Sequence, residues 1–316
     1  MAALVETMFY TSNEQNGRFV PWHGLGTPVS EAPTSADALR IAGLDWNVIQ
    51  KPISTDGKEI PNYVANIRDK DNTVLGVVSD RYKIVQNTDA FNFTDNLIGG
   101  DVRYETAGSL KNGKTIWLLA KMPEQKVLGD KIDPYICFTN SHDGTGAVRV
   151  CMTNIRVVCN NTLNIALSSA KRMWSTKHMG NIEAKLEEAK HTLEMANKYM
   201  DCFGKEAERL ANITMKDEEI HAFLDELFPL DENASDRQKA NVQKARDEVY
   251  VCYLAPDIAK FLNTKYGVLN AVSDWVGHAT PTRTTPDYQS NNWGRIIVGH
   301  PVLDKAYELL TSKVSA

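Results

Sequence analysis

The stretch from Pro134 to Leu167 constrains this chain more than any other. It opens with the apolar run Tyr135-Ile136-Cys137-Phe138 and turns over through Asn140-Ser141-His142-Asp143-Gly144-Thr145-Gly146. It leaves through Val148-Arg149-Val150-Cys151-Met152 and continues along Ile155-Arg156-Val157-Val158-Cys159 to Asn160-Asn161-Thr162. β-Branched runs bounded by Asp-Gly and a second glycine predict a β-hairpin. Asn161 or Thr162 is placed to cap a helix that follows. A hairpin feeding a helix, with arginines along its second strand, is therefore the expected centre of the fold.

The chain before this stretch repeats the pattern. Tyr63–Arg68 and Val74–Val78 read as paired strands around Asp69–Asn72, and Trp46–Ile53 as a third strand. Val102–Gly108 and Thr115–Lys121 flank Asn112-Gly113, the strongest short hairpin signal in the sequence. Thr34 or Ser35 is expected to cap a short helix to Ala42, and Asn87 or Thr88 one holding Phe91, Phe93 and Leu97-Ile98. Near the start, Pro21-Trp22-His23-Gly24-Leu25-Gly26 reads as a turn anchored by Trp22.

Beyond Ser168 the periodicity changes. Ile182, Leu186, Ala189, Leu193, Ala196, Met200, Phe203, Ala207 and Leu210 recur at spacings of four and three. This predicts an amphipathic helix roughly 45 Å long at 1.5 Å per residue, lying across the sheet. Shorter helices are expected over Glu218–Phe228, Val242–Tyr253, Ile258–Tyr266, Leu269–Val276 and Pro301–Leu310, with polar loops at 231–236 and 280–286. The expected class is α+β: an antiparallel sheet in the N-terminal part packed on a long helix, then a helical C-terminal third. The division falls between an α+β core over 1–213 and a helical region over 214–316.

Charge narrows the function. The net charge of -5 over 316 residues excludes a polycation, so any nucleic-acid binding must use a local basic surface. No apolar run approaches the eighteen or so residues of a membrane span, and Met1–Tyr10 lacks a signal-peptide pattern. The five cysteines form no C-x-x-C pair, which fits reduced thiols in a cytoplasmic compartment. There is no G-x-S-x-G elbow and no phosphate loop, and Gly24-Leu25-Gly26 does not extend into a dinucleotide fingerprint. The seven histidines are scattered, so no zinc site and no cofactor is expected.

Two constellations remain. In Ser141-His142-Asp143-Gly144, His142 and Asp143 are candidate acid/base groups or metal ligands if another carboxylate comes near. The competing reading is turn chemistry, with Asn140 and Asp143 bonding backbone and the glycines taking left-handed angles. The second set joins Arg149 and Arg156 to Lys171, Arg172, Trp174, Lys177 and His178. Cations that track phosphates beside a stacking indole suit single-stranded nucleic acid. The competing reading is solvated charge, with Trp174 covering the core edge. Arg149 and Arg156 are an odd number of residues apart and fall on opposite faces of a regular strand, unless a bulge near Thr153-Asn154 intervenes.

The segments Pro21–Gly26, Asn140–Gly144, Arg156–Leu163 and Lys177-His178 together resemble a phage/plasmid-like protein family of uncharacterised function. The resemblance covers nearly the whole chain and implies a protein of a bacteriophage or other mobile element, acting in the bacterial host cytoplasm. It supplies no catalytic residue. A more distant, architectural similarity is to phage single-strand annealing proteins of the RecT, Erf and Red beta group, built on a hairpin or small sheet, a long helix and a basic groove. The expected function is thus single-stranded DNA binding or annealing in recombination, without catalysis, with a homo-oligomer and a host or phage protein as further partners. The alternatives are a metal-dependent nuclease or phosphodiesterase using His142 and Asp143, and a protein-binding module acting on a host factor.

Overall fold

The computed structural model describes residues 5–11, 27–31, 33–98, 103–122, 125–156, 161–162, 173–278 and 300–312. The expected α+β class is the observed one, with antiparallel sheets in the N-terminal part and helices in the C-terminal part. Twelve strands are named here in chain order, β1 (Val5–Thr11) to β12 (Met173–Thr176), among the described residues.

The larger sheet is built on two hairpins whose turns were legible. β6 (Arg103–Leu110) and β7 (Thr115–Lys121) form the hairpin around Asn112-Gly113, where Lys111, Asn112 and Gly113 all take positive φ. β9 (Asp130–Ser141) pairs with β7 and then turns into β10 (Val148–Arg156), the hairpin expected from Asp143-Gly144. β8 (Gln125–Val127) folds onto β9. β1 and β2 (Thr27–Val29) extend the other edge, β1 antiparallel to β6 and β2 parallel to β1. β11 (Asn161–Thr162) and β12 share the outer edge of β10. Asn161-Thr162 pairs as strand, and the helix expected to follow it lies outside the described residues, which resume at Met173.

One cross-strand row shows how the pleat sorts side chains. Trp174, Val150, Phe138, Leu118, Ala107 and Phe9 lie opposite one another across five neighbouring pairs, and all lie in or pack on one hydrophobic core. Because side chains alternate along a strand, the adjacent row of Ser175, Arg149, Thr139 and Trp117 belongs to the other face. On that second face Cys137 sits opposite Cys151, both buried as thiols, and burial pushes the Cys137 thiol up.

The smaller sheet is the antiparallel set β3 (Val48–Thr55), β4 (Lys58–Arg68) and β5 (Val74–Ser79), as their alternating apolar residues predict. The helices α1 (Ser35–Ile41) and α2 (Asn87–Ile98) bracket it in sequence. Asn87 begins α2 but does not cap it. Its amide donates instead to the carbonyls of Leu44 (2.9 Å) and Trp46 (3.2 Å), while the Asp89 carboxylate takes the Gln86 N–H at 2.9 Å.

The expected long helix is α3 (Ile182–Ala211), 30 residues capped by the Asn181 side chain and continuous through Gly204. Its Tyr199, Met200, Phe203, Ala207 and Leu210 enter the core. α4 (Asp217–Leu227) stops before Pro229, and α5 (Asp236–Tyr253) starts at a capping box made by Ser235 and Gln238. The expected helix over 258–266 is broken. A 3₁₀ turn (Pro256–Phe261) is followed two residues on by Asn263, whose φ is 58° and whose N–H donates to the Tyr253 hydroxyl at 2.6 Å. The Thr264 hydroxyl then accepts from Gly267 N–H at 3.1 Å and opens α6 (Lys265–His278). The last helix, α7 (Pro301–Ser312), closes on α3 through Tyr307, which donates to Glu206 at 2.9 Å. Buried residues of α4 to α7 belong to the same core as the sheet, so the helical region packs directly on the α+β part. No described helix is long and apolar enough to cross a membrane.

Candidate functional site

The turn Ser141–Gly146 is where the two sheets meet. His142 is wholly buried, and its backbone is held from both sides: its N–H donates to Lys114 O at 2.7 Å and its carbonyl accepts from Asn66 Nδ2 at 2.7 Å. Asn66 lies on the inner face of the small sheet beside Gly76, and that glycine is required. A Cβ at Gly76 would stand 2.6 Å from Asp143 Cα and 2.9 Å from its carbonyl oxygen. Gly144, at φ +79°, seats against Val78 in the same way. The sequence Asp-Gly therefore serves turn and docking together.

Three side chains at this joint hold the extended segment that leads into α2. His178 Nδ1 bonds Lys83 O at 2.9 Å, Asn140 Nδ2 donates to Val85 O at 2.9 Å, and His142 Nε2 bonds Asn87 Oδ1 at 3.0 Å. The His178 ring stacks on Tyr82, with centroids 4.4 Å apart, and the Tyr82 hydroxyl donates to Ser141 O at 2.5 Å. Desolvation drives the His142 pKa down to about 3, with the nearby His178 acting in the same direction and Asp143 against it. His178 is shifted down as well, by burial, against the opposing bond to Lys83. Both imidazoles are neutral at pH 7.

These positions revise the sequence-based sites. His142 has no solvent-exposed surface on which to meet a substrate. Asp143 is half-buried, and its Oδ1 accepts from Ser141 Oγ, Thr145 N–H and Thr145 Oγ1 at 2.5, 2.9 and 2.7 Å. Burial raises its pKa, but these bonds and Lys114 outweigh that and leave it lowered, so it is an ionised turn-former. Among the described residues, no three His, Cys, Asp or Glu side chains converge as a metal site.

The basic-aromatic set separates in the same way. Trp174 packs on the core from β12, whereas Arg149, one position along in the register, belongs to the other face. His178 is 4% exposed and stacks inside. The register of β10 on β9 runs without a shift from Arg149 to Arg156, so no bulge brings positions 149 and 156 to one face. Lys171, Arg172 and the Pro21–Gly26 segment lie outside the described residues. Lys177 is exposed and Arg149 half-exposed.

Cations that the sequence reading passed over join these two. The β6–β7 turn, the β9–β10 turn and the end of β12 all fall at one end of the large sheet, because Leu110 pairs with Thr115, Thr115 with Ser141, and Val148 with Thr176. That brings Lys111 and Lys114 to the same end as Arg149 and Lys177. Arg81 and Lys83 arrive with them, because Lys83 N–H donates to His178 O at 3.0 Å. None of these six side chains is engaged in an ion pair among the described residues. Acidic neighbours in sequence are Asp80 beside Arg81, Asp143 in the β9–β10 turn and Glu183 in the first turn of α3. Tyr63, 53% exposed and opposite Ser79 on β4–β5, is the aromatic surface closest in register to Arg81. Strand alternation was the available signal: in a meander, every second turn falls at the same end.

Fold and site together define an α+β protein whose central hairpin turn docks on a second sheet, under a basic rim. The chain belongs to the family of the domain of unknown function DUF932, which matches residues 74–295, from the first residue of β5 onward. No curated protein and no solved structure matches it.

Proposed function

We propose that the chain binds single-stranded nucleic acid, DNA in the first instance, along the basic end of the large sheet, as a non-enzymatic protein of a bacteriophage or other mobile element in its bacterial host. One observation carries this reading. A chain of net charge -5 gathers Arg81, Lys83, Lys111, Lys114, Arg149 and Lys177 at one rim without neutralising them by ion pairs among the described residues. Cations gathered at one rim suit a phosphate backbone, which binds through release of its counterions. Tyr63 offers a ring on which a base can stack. The long helix behind the sheet fits the architectural similarity to single-strand annealing proteins, a likeness of layout that supports annealing as the biological role. Hydrolysis by His142 is disfavoured, because a phosphodiester has no path to a fully buried imidazole.

Fluorescence anisotropy of a labelled single-stranded oligonucleotide at two salt concentrations tests the reading. Binding should weaken steeply with salt, by a slope of about 0.7 in log K per phosphate contacted. The charge reversals Lys83→Glu and Lys177→Glu together should weaken binding about tenfold or more and flatten that slope, with the circular dichroism spectrum unchanged. No binding at low salt, or equal affinity in the double variant, refutes it.

A further inference from the structure

The second face of the large sheet carries two nucleophiles that the proposed function does not use. Cys151 on β10 is the register partner of Cys137 on β9, so both side chains stand on the same face. With Leu119 and Tyr135 they form a small buried cluster separate from the main core. Directly opposed residues of an antiparallel pair have Cα atoms about 4.5 or 5.5 Å apart, according to the hydrogen-bonding class of the pair. A disulfide spans Cα separations of about 4.4–6.8 Å, so either class admits one without backbone movement. The two thiols are hydrogen-bonded to each other as they stand.

The two are not equivalent. The row on this face runs Leu119, Cys137, Cys151, Met173, ending on β12, which has no further strand beside it among the described residues. Met173 is 37% exposed, Cys151 2% and Cys137 0%. β12 is four residues long, and fraying of so short an edge strand uncovers Cys151 first. Arg149, two positions before Cys151 on the same face, is the nearer of the two cations on β10, and a guanidinium favours a thiolate. Burial, followed by the hydrogen bond and charge of Cys151, holds the Cys137 thiol well above its usual pKa, so Cys151 is the first of the two to ionise.

We propose that Cys151 and Cys137 are a hydroperoxide-responsive pair, Cys151 reacting with the peroxide and Cys137 resolving the product to an intramolecular disulfide. The Cys151 thiolate attacks one peroxide oxygen, the O–O bond breaks, and the departing hydroxide takes a proton to become water. The Cys137 sulfur, giving up its proton, then attacks the sulfenic sulfur; the S–S bond forms and hydroxide leaves as the second water. Two electrons pass from the sulfurs to the peroxide, and the two thiol protons end in the two waters. The bond would close the 15 residues from 137 to 151 into a loop around the turn that docks on the small sheet. It stands whether or not the rim binds nucleic acid.

The test uses the full chain, reduced, desalted, treated with hydrogen peroxide in native buffer, blocked with N-ethylmaleimide and digested with trypsin. Cleavage after Lys131, Arg149 and Arg156 puts the two cysteines on separate peptides, 132–149 and 150–156. Wild type should yield these two joined, with Tm raised on the order of 5 °C and both effects reversed by dithiothreitol. Cys137→Ser should yield no joined peptide and should accumulate a dimedone-reactive sulfenic acid at Cys151, as loss of the resolving thiol requires. Cys252→Ser, which alters a cysteine of α5, should form the link as wild type does. The joined peptide from wild type is a readout independent of whether either variant folds. Oxidation that reaches methionines and leaves the pair as thiols, a link to another cysteine in place of this one, or a joined peptide with unraised Tm overturns the assignment.

Discussion

Buried neutral histidines make the protein sensitive to mild acid, and His142 sets the scale. Its pKa falls from 6.5 to about 3 on folding, chiefly by desolvation. Between those values the unfolded chain binds a proton that the native state refuses. Stability is therefore fully present above the unfolded value and is lost as pH falls toward the folded one. The loss amounts to about 1.4 kcal/mol per pH unit, or about 2 kcal/mol between pH 6.5 and about pH 5. His178, also shifted down by burial, adds to the loss in the same direction. Asp143, lowered from 3.8, loses its contribution only below that window. Urea denaturation followed by tryptophan fluorescence measures the effect. The midpoint should drop across the window at constant m-value, and Tm should fall on the order of 5 °C. A flat stability between pH 7 and about pH 5 would refute the burial of a neutral imidazole at this joint.

Two further outcomes follow from the same geometry. Gly76→Ala drives a methyl group into the Asp143 backbone, at 2.6 Å from its Cα, and should lower stability by about 1–3 kcal/mol in urea titration; an unchanged midpoint would show that the sheets are not docked there. Ser235→Ala removes the hydroxyl that accepts from Gln238 N–H at the start of α5 and should cost about 1 kcal/mol. Faster amide exchange confined to the first turn of α5 is its signature, and exchange unaltered there would count against the cap.

The parts legible in the sequence are those whose causes are local. Asn112-Gly113 and Asp143-Gly144 mark their turns by backbone preference, and the strands beside them alternate cleanly. The spacing of apolar residues from Ile182 to Leu210 is enough to define α3. What escaped is tertiary. β1 shows no turn to a neighbour, since Thr7 meets Ser109 across 102 residues. Asn87 reads as a helix cap because its type favours caps, yet its amide serves Leu44, Trp46 and His142. Ser141-His142-Asp143 reads as a turn, and Ser141 and His142 are interior where the small sheet covers them. Trp174 and Arg149 look like one basic-aromatic surface in a linear reading, and the pleat sends them to opposite sides.

The order of strands also bears on how the chain reaches its native state. β1 closes on β6 only after β3, β4 and β5 have been made, so the small sheet is nested inside the longest loop of the large one. Closing an open loop of that length carries an entropic cost that grows as about (3/2)RT ln n. The β3–β4–β5 hairpins are short-range and can form first. Once compact, they shorten the span that β1 must bridge and present the inner face, with Asn66 and Gly76, to the β9–β10 turn. The small sheet is in this sense a folding scaffold: pairing of β1 should be the late, slow event, and changes in β3–β5 should slow it without touching either strand it joins.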